Sequence, residues 1–172
     1  MRIRWSELDS PLGLVRVWET SAGVIAATMP GDDPEPTAAE LESRGTVDAA
    51  PSARRPVTRF LAALLAGKDP GAVPPLDVPW ARTAFVADVL HATAEIPWGD
   101  VTTYGALATT VGRPGGARAV GNALGSNRLP LVIPCHRVVP ANGSVGGFGA
   151  GRGASELKAS LLALENWHPR RG

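Results

Sequence analysis

One cysteine occurs in the 172 residues, Cys135, and it stands beside a histidine in Pro134-Cys135-His136-Arg137-Val138. The thiolate, not the thiol, is the nucleophile, and a neighbouring imidazole or helix N-terminus can bring a cysteine pKa from about 8.5 into the neutral range. A nucleophile and its base are therefore available, and proline constrains the backbone that presents them. The dipeptide alone is weak, because adjacent side chains need not face each other and a lone cysteine is commonly a small buried hydrophobe. A single thiol excludes an intramolecular disulfide and fits a reducing compartment, so a cytoplasmic protein is expected. The histidines, at positions 91, 136 and 168, lack the spacing of a zinc site, and no metal is predicted.

Charge is unevenly distributed about this motif. Residues 1–100 carry 9 Lys/Arg against 14 Asp/Glu, a net of −5, whereas residues 101–172 carry 8 against 2, a net of +6. Between Asp100 and Glu156 there is no acid, yet Arg113, Arg118, Arg128, Arg137 and Arg152 all fall there. A basic half of this kind suggests a polyanion-binding face, with clustering on a solvated surface as the alternative. With 44% hydrophobic residues the chain can bury a core. No apolar run approaches the roughly 18 residues of a membrane span, and Met1–Glu7 does not read as a signal sequence.

The elements that must position the thiol can be read from periodicity. Arg2–Leu8 and Leu14–Trp18 are strand-like runs around the turn Ser10-Pro11-Leu12-Gly13, and Val24–Met29 could add a third strand, giving a small antiparallel sheet. Residues 30–56 read as loop, with room for a short helix over Ala38–Ser43. Val57, Phe60, Leu61, Leu64 and Leu65 predict a helix over Pro56–Ala66 that stops at Gly67. Asp69–Pro79 carries four prolines and reads as a linker, so the expected domains are 1–78 and 79–172.

Beyond the linker, Phe85, Val86, Val89, Leu90 and Ala94 mark a helical face. Thr102 or Thr103 can cap a helix over Tyr104–Val111, and after the turn Arg113-Pro114-Gly115-Gly116 a second helix covers Ala117–Leu124. The two have the outline of a helix-turn-helix. Ala117, Ala119, Gly121 and Ala123 leave the second helix small while Arg118 projects a long cation. Gly121 costs about 1 kcal/mol relative to alanine, so it invites close approach of a neighbouring helix or of nucleic acid. Leu131-Val132-Ile133 reads as a buried strand entering the cysteine turn. The expected fold class is α+β: a small N-terminal domain with an antiparallel sheet and a mostly helical C-terminal domain.

The stretch from Tyr104 to Glu165 resembles the O6-alkylguanine-DNA alkyltransferases, or methylated-DNA–protein-cysteine methyltransferases. The resemblance lies in Ile96-Pro97-Trp98-Gly99, Thr103-Tyr104, Ala117-Arg118-Ala119-Val120-Gly121, Ser126-Asn127, Ile133-Pro134-Cys135-His136-Arg137-Val138 and Leu161-Leu162-Ala163-Leu164-Glu165. Their order and separations match the family's from Tyr104 to Cys135, while the N-terminal half matches only in outline, through Asp9–Gly13 and the helix before the linker.

The resemblance implies that Cys135 accepts an alkyl group from O6 of a flipped-out guanine, or from O4 of thymine, in a single turnover. His136 would act on the thiol through a water, Glu165 would orient the imidazole, and Asn127 would hold the turn. Tyr104 would donate to the departing guanine, because an anionic leaving group needs a donor. Arg118 would fill the space of the extruded nucleotide from the minor groove, with Thr103, Ala117, Ala119 and Gly121 beside the DNA. Pro130, Val138, Phe148 and Gly149 would line the alkyl and base pocket, Phe148 standing where the family often has tyrosine. The stretch Gly149–Leu157 is longer than the family's usual spacing, which could widen the range of alkyl groups. Double-stranded DNA is the implied partner and no cofactor is needed. A monomer is expected, and cooperativity on DNA is left open.

Three other readings use part of the same pattern. Alkyltransferase-like proteins bind lesions with this fold and arginine but carry another residue, typically tryptophan, at the place of Cys135. A Cys-His hydrolase with Glu165 as its third member would leave Arg118 unexplained. A transcription factor would account for the basic half but not for the surroundings of Cys135.

Overall fold

The computed structural model of the chain describes residues 1–49, 55–148 and 154–169, which divide into two compact units. The first comprises Met1–Trp80 and Arg128–Val132. Its sheet contains β1 (Arg2–Leu8), β2 (Val15–Glu19), β3 (Val24–Ala27) and β4 (Thr46–Ala49) in the order β3-β2-β1-β4. The β1–β2 and β2–β3 pairs are antiparallel, but β4 runs parallel to β1, so the sheet is mixed and not purely antiparallel as expected. Thr46–Ala49 lies inside the stretch read as loop. Its pairing with β1 is made across more than forty residues of sequence, and that non-local contact leaves no short-range signal.

Helix α1 (Glu35–Glu42) precedes β4 and places Ala38 and Leu41 against Ile3, Trp18, Ile25 and Ala26. Helix α2 (Pro56–Leu65) begins with proline at its first position, where no amide hydrogen is required, and buries Val57, Phe60, Leu61, Leu64 and Leu65. The periodicity had placed this helix to within a residue. Arg128–Val132 joins the first unit because Ala27 N donates to Arg128 O at 2.8 Å and Leu129, Leu131 and Val132 are fully buried. Leu131 and Val132 form a turn, correcting the expected strand, and Leu131 adopts φ +72°, a conformation rare for a branched residue.

The second unit comprises Ala81–Asn127 and Ile133–Gly172. Helix α3 (Ala84–Ala94) is capped by Thr83, whose hydroxyl accepts from Val86 N, and buries Val89, Leu90 and Thr93. A two-residue strand β5 (Thr102–Thr103) leads into α4 (Tyr104–Thr110), with Thr103 Oγ1 accepting from Ala106 N at 3.1 Å. Helix α5 (Ala117–Gly125) follows a turn in which Gly112 and Gly115 have φ of +70° and +80°, and it packs on α4 and α3. The chain re-enters this unit at Ile133. There it forms a 3-10 turn over Cys135–Arg137, then β6 (Val138–Val139), parallel to β5, and finally α6 (Ala154–Leu164). Among the described residues no helix is long and apolar enough to cross a membrane.

Candidate active site

The cysteine is presented by two tight turns in succession. Pro134, at φ −80° and ψ +61°, lets Cys135 N donate to Ile133 O at 2.8 Å, an inverse γ-turn. Arg137 N then donates to Pro134 O, also at 2.8 Å, closing the 3-10 turn. Asn127, just past the end of α5, donates from Nδ2 to Ile133 O at 3.4 Å and to Cys135 Sγ at 3.5 Å. One amide thus holds the entry to the turn and the sulfur together.

Cys135 keeps some solvent exposure. Desolvation nevertheless pushes its thiol pKa up, against the hydrogen bond from Asn127 and the positive charge of Lys158, both of which pull it down. The resting sulfur is a thiol in need of a base. His136 is completely buried, and burial is the main force holding its pKa below the ordinary value. Glu165 opposes that shift by hydrogen bond and charge, while Arg137 and Lys158 reinforce it. His136 Nε2 lies 2.7 Å from Glu165 Oε1, and Nδ1 is buried with no partner among the described residues. The two adjacent side chains share no direct hydrogen bond.

Glu165 is only 3% exposed. It sits just beyond the end of α6 and accepts from His136, from Arg137 Nε at 2.8 Å and Nη2 at 3.0 Å, and from Gly99 N at 3.0 Å. Its desolvation is outweighed by the hydrogen bonds from His136 and Arg137, so the carboxyl stays below the usual range. Gly99, at φ +81°, turns the Ile96–Gly99 segment so that its amide meets this carboxylate. Arg137 had counted toward a basic DNA-facing surface. It is instead 3% exposed and committed to Glu165 and to Ile96 O, and Arg128 is paired with Glu40.

Lys158 is the residue that sequence reasoning missed. It lies on α6 with no exposed surface, and its Nζ donates to Val138 O at 2.7 Å and to Gly147 O at 3.3 Å. The same ammonium lies 5.7 Å from the Tyr104 ring centre and 6.0 Å from that of Phe148. Burial lowers its pKa to about 8. The available signal was a lysine at helical spacing with Leu161 and Leu162, a position that a solvated face would not occupy.

Tyr104 opens α4. Desolvation, followed by the charge of Cys135, raises its pKa, so the phenol keeps its proton at neutral pH. Gly121 is crossed by the Tyr104 ring, with 3.9 Å from a built Cβ to Cε1, and no other backbone lies within reach. A side-chain methyl here would meet that ring only at ordinary van der Waals distance, so packing against α4 does not by itself require the glycine. Arg118 and Ala119 are exposed, and Ala117 and Thr103 are half-buried. Val138 and Phe148 are buried, the carbonyl of the former accepting from Lys158. Pro130 is buried in the segment that groups with the first unit. Gly149, and with it part of the longer stretch after Phe148, lies outside the described residues. Among the described residues no three His, Cys, Asp or Glu side chains gather where a metal could be held.

This geometry agrees with what the chain is similar to. Residues 84–167 match the family model described as 6-O-methylguanine DNA methyltransferase, DNA binding domain. The chain is 32% identical to the methylated-DNA–protein-cysteine methyltransferase of Mus musculus over 95% of its own length and 82% of that protein's. It is 34% identical to the bifunctional transcriptional activator/DNA repair enzyme Ada of Escherichia coli, over 96% of this chain and 46% of that one. The chain thus spans about half the length of the Ada relatives it matches. Among solved structures, the Mycobacterium tuberculosis OGT in complex with DNA aligns with a TM-score of 0.76 and 31% identity, covering 94% of this chain and 92% of that one. Full-length similarity of sequence and fold, together with the matched domain around Cys135, establishes that the chain belongs to the O6-methylguanine DNA methyltransferase family.

Proposed function

We propose that this protein repairs DNA by direct reversal, moving an alkyl group from O6 of guanine, or O4 of thymine, to Cys135 Sγ. The observation that carries the reading is the arrangement of a thiol held by Asn127 next to an imidazole with a bare Nδ1 and an Nε2 tied to Glu165. The thiol proton passes to Nδ1, relayed by one water as the family's pattern implies, and the thiolate attacks the alkyl carbon. As the S–C bond forms the C–O6 bond breaks, and its electron pair leaves with guanine, which takes a proton from the Tyr104 hydroxyl. Lys158, cationic below about pH 8, balances the thiolate before attack. The thioether retains the alkyl group, so each molecule acts once.

The target atom lies inside a base stack, and reaching it costs a few kcal/mol of unstacking. Exposed Arg118 on α5 is suited to occupy the vacated space from the minor groove, where readout is largely insensitive to sequence. On this reading α4 and α5 act as the helix-turn-helix, Val138, Phe148 and Gly149 bound the base, and residues 79–172 carry both chemistry and DNA contacts. We take the working form as a monomer in the cytoplasm.

Intact-mass spectrometry after incubation with a duplex containing O6-methylguanine tests the proposal. One added methyl, mapped to Cys135 and absent from Cys135→Ala, is expected. Binding of that duplex without gain of mass would favour an alkyltransferase-like lesion binder.

A further inference from the structure

We propose that Arg137 is a positioning residue for the transfer: it locks the Glu165 carboxylate so that His136 carries its hydrogen on Nε2 and offers a bare Nδ1 to the cysteine. The inference rests on the reading that Cys135 accepts the alkyl group.

Glu165 Oε1 faces His136 Nε2 at 2.7 Å, Arg137 Nη2 at 3.0 Å and Arg137 Nε at 3.2 Å, and Oε2 faces Arg137 Nε at 2.8 Å and Gly99 N at 3.0 Å. The guanidinium and the amide are obligate donors, so this carboxylate is held as an acceptor, and the imidazole nitrogen pointing at it must be the one that bears hydrogen. Arg137 is itself clamped. Its Nη1 donates to Ile96 O at 2.6 Å, and its face lies 5.7 Å from the Trp98 ring centre. A planar fork with several donors can meet the carboxylate and the carbonyl at once, which an ammonium cannot.

The remaining charged surroundings of His136 are few. Cys135 precedes it on the same turn, and Lys158 and Glu165 approach from α6 and its end. Helix α3, which also packs on the turn, contributes buried Val89, Leu90 and Thr93, whereas its Asp88 and His91 are exposed. Removing the guanidinium charge would leave a buried carboxylate opposite a neutral ring, an arrangement that favours uptake of a proton. If the proton settled on the imidazole, both nitrogens would be occupied. If it settled on the carboxyl, that group would donate to Nε2 and the ring hydrogen would move to Nδ1. In either case Nδ1 could no longer accept the thiol proton.

The test combines histidine 15N NMR of the DNA-free protein with single-turnover methyl transfer from an O6-methylguanine duplex across pH, for wild type, Arg137→Gln and Arg137→Lys. With only His91, His136 and His168 present, the buried ring is readily distinguished. Wild-type His136 is expected to be neutral and Nε2-protonated at neutral pH. In Arg137→Gln, Nδ1 gains hydrogen at neutral pH and transfer there falls at least about tenfold, with its acidic limb moved to higher pH. Arg137→Lys recovers part of both. A folded Arg137→Gln protein whose His136 keeps the wild-type tautomer and titration overturns the proposal. So does a wild-type His136 bearing hydrogen on Nδ1 at neutral pH, a result that needs no variant to fold. Failure of the wild type to gain methyl would strike the Cys135 reading instead, and the NMR would still report on Arg137.

Discussion

Replacing Lys158 with methionine in a Cys135→Ala background isolates the electrostatic cost of burying an ammonium behind the cysteine turn. The side chain has no exposed surface and its pKa is lowered to about 8, against an ordinary value of 10.5. A lysine whose folded pKa is depressed binds fewer protons when folded than when unfolded between those two values, so stability rises with pH in that window. Integrated from pH 7 to 9.5, the gain has an upper limit of about 2 kcal/mol. Cys135 would act in the opposite direction, because its raised folded pKa withdraws stability as pH climbs through the thiol range, and alanine removes that contribution. Tyr104, whose pKa burial raises, is present in both proteins and does not distinguish them. Urea unfolding of Cys135→Ala at a series of pH values is therefore expected to show stability rising toward pH 9.5, and Cys135→Ala/Lys158→Met is expected to lose that rise. At pH 7 the methionine relieves the desolvation cost but leaves Val138 O and Gly147 O without their donor, at about 1–3 kcal/mol each, so the two effects largely offset. Equal pH slopes in the two proteins would refute the argument that Lys158 is held as a destabilised cation.

Glu165→Gln leaves Arg137 buried without its counter-charge, and a loss of about 3–5 kcal/mol in urea unfolding is expected. Thr103→Ala removes the hydroxyl that caps α4, costing about 1 kcal/mol, and circular dichroism melting at fixed pH should show it. Gly146→Ala forces a side chain into φ +73° and brings a Cβ within 2.6 Å of the Pro140 ring. A loss of about 1–3 kcal/mol is expected, with slower transfer because the segment leading to Phe148 must shift. Arg118→Ala, at an exposed position, should weaken DNA binding in a fluorescence titration while leaving the unfolding midpoint unchanged.

Much of the site was legible because it is written in local chemistry. Pro134, Cys135 and His136 are consecutive, Thr103 precedes an apolar-periodic helix, and the family resemblance is in register from Tyr104 to Cys135. Lys158 and Arg137 were not legible. Each looks like a surface cation in a basic half of the chain, and only the packing of α6 against the cysteine turn shows that both are buried. The role of Gly99 as an amide donor to Glu165 likewise depends on a contact 66 residues away.

Helix periodicity and capping determined α2, α3, α4 and α5 from the chain alone, since such signals act over a few residues. The β4–β1 pairing, the turn at Leu131–Val132 and the recruitment of Arg128–Val132 into the first unit were decided by tertiary structure. Each depends on hydrogen bonds or burial supplied by residues distant in sequence, which override local preference. The nucleophile is likewise a matter of residue type. The protonation pattern around it is set by desolvation and by which charges meet inside the fold, and those quantities exist only once the chain has folded.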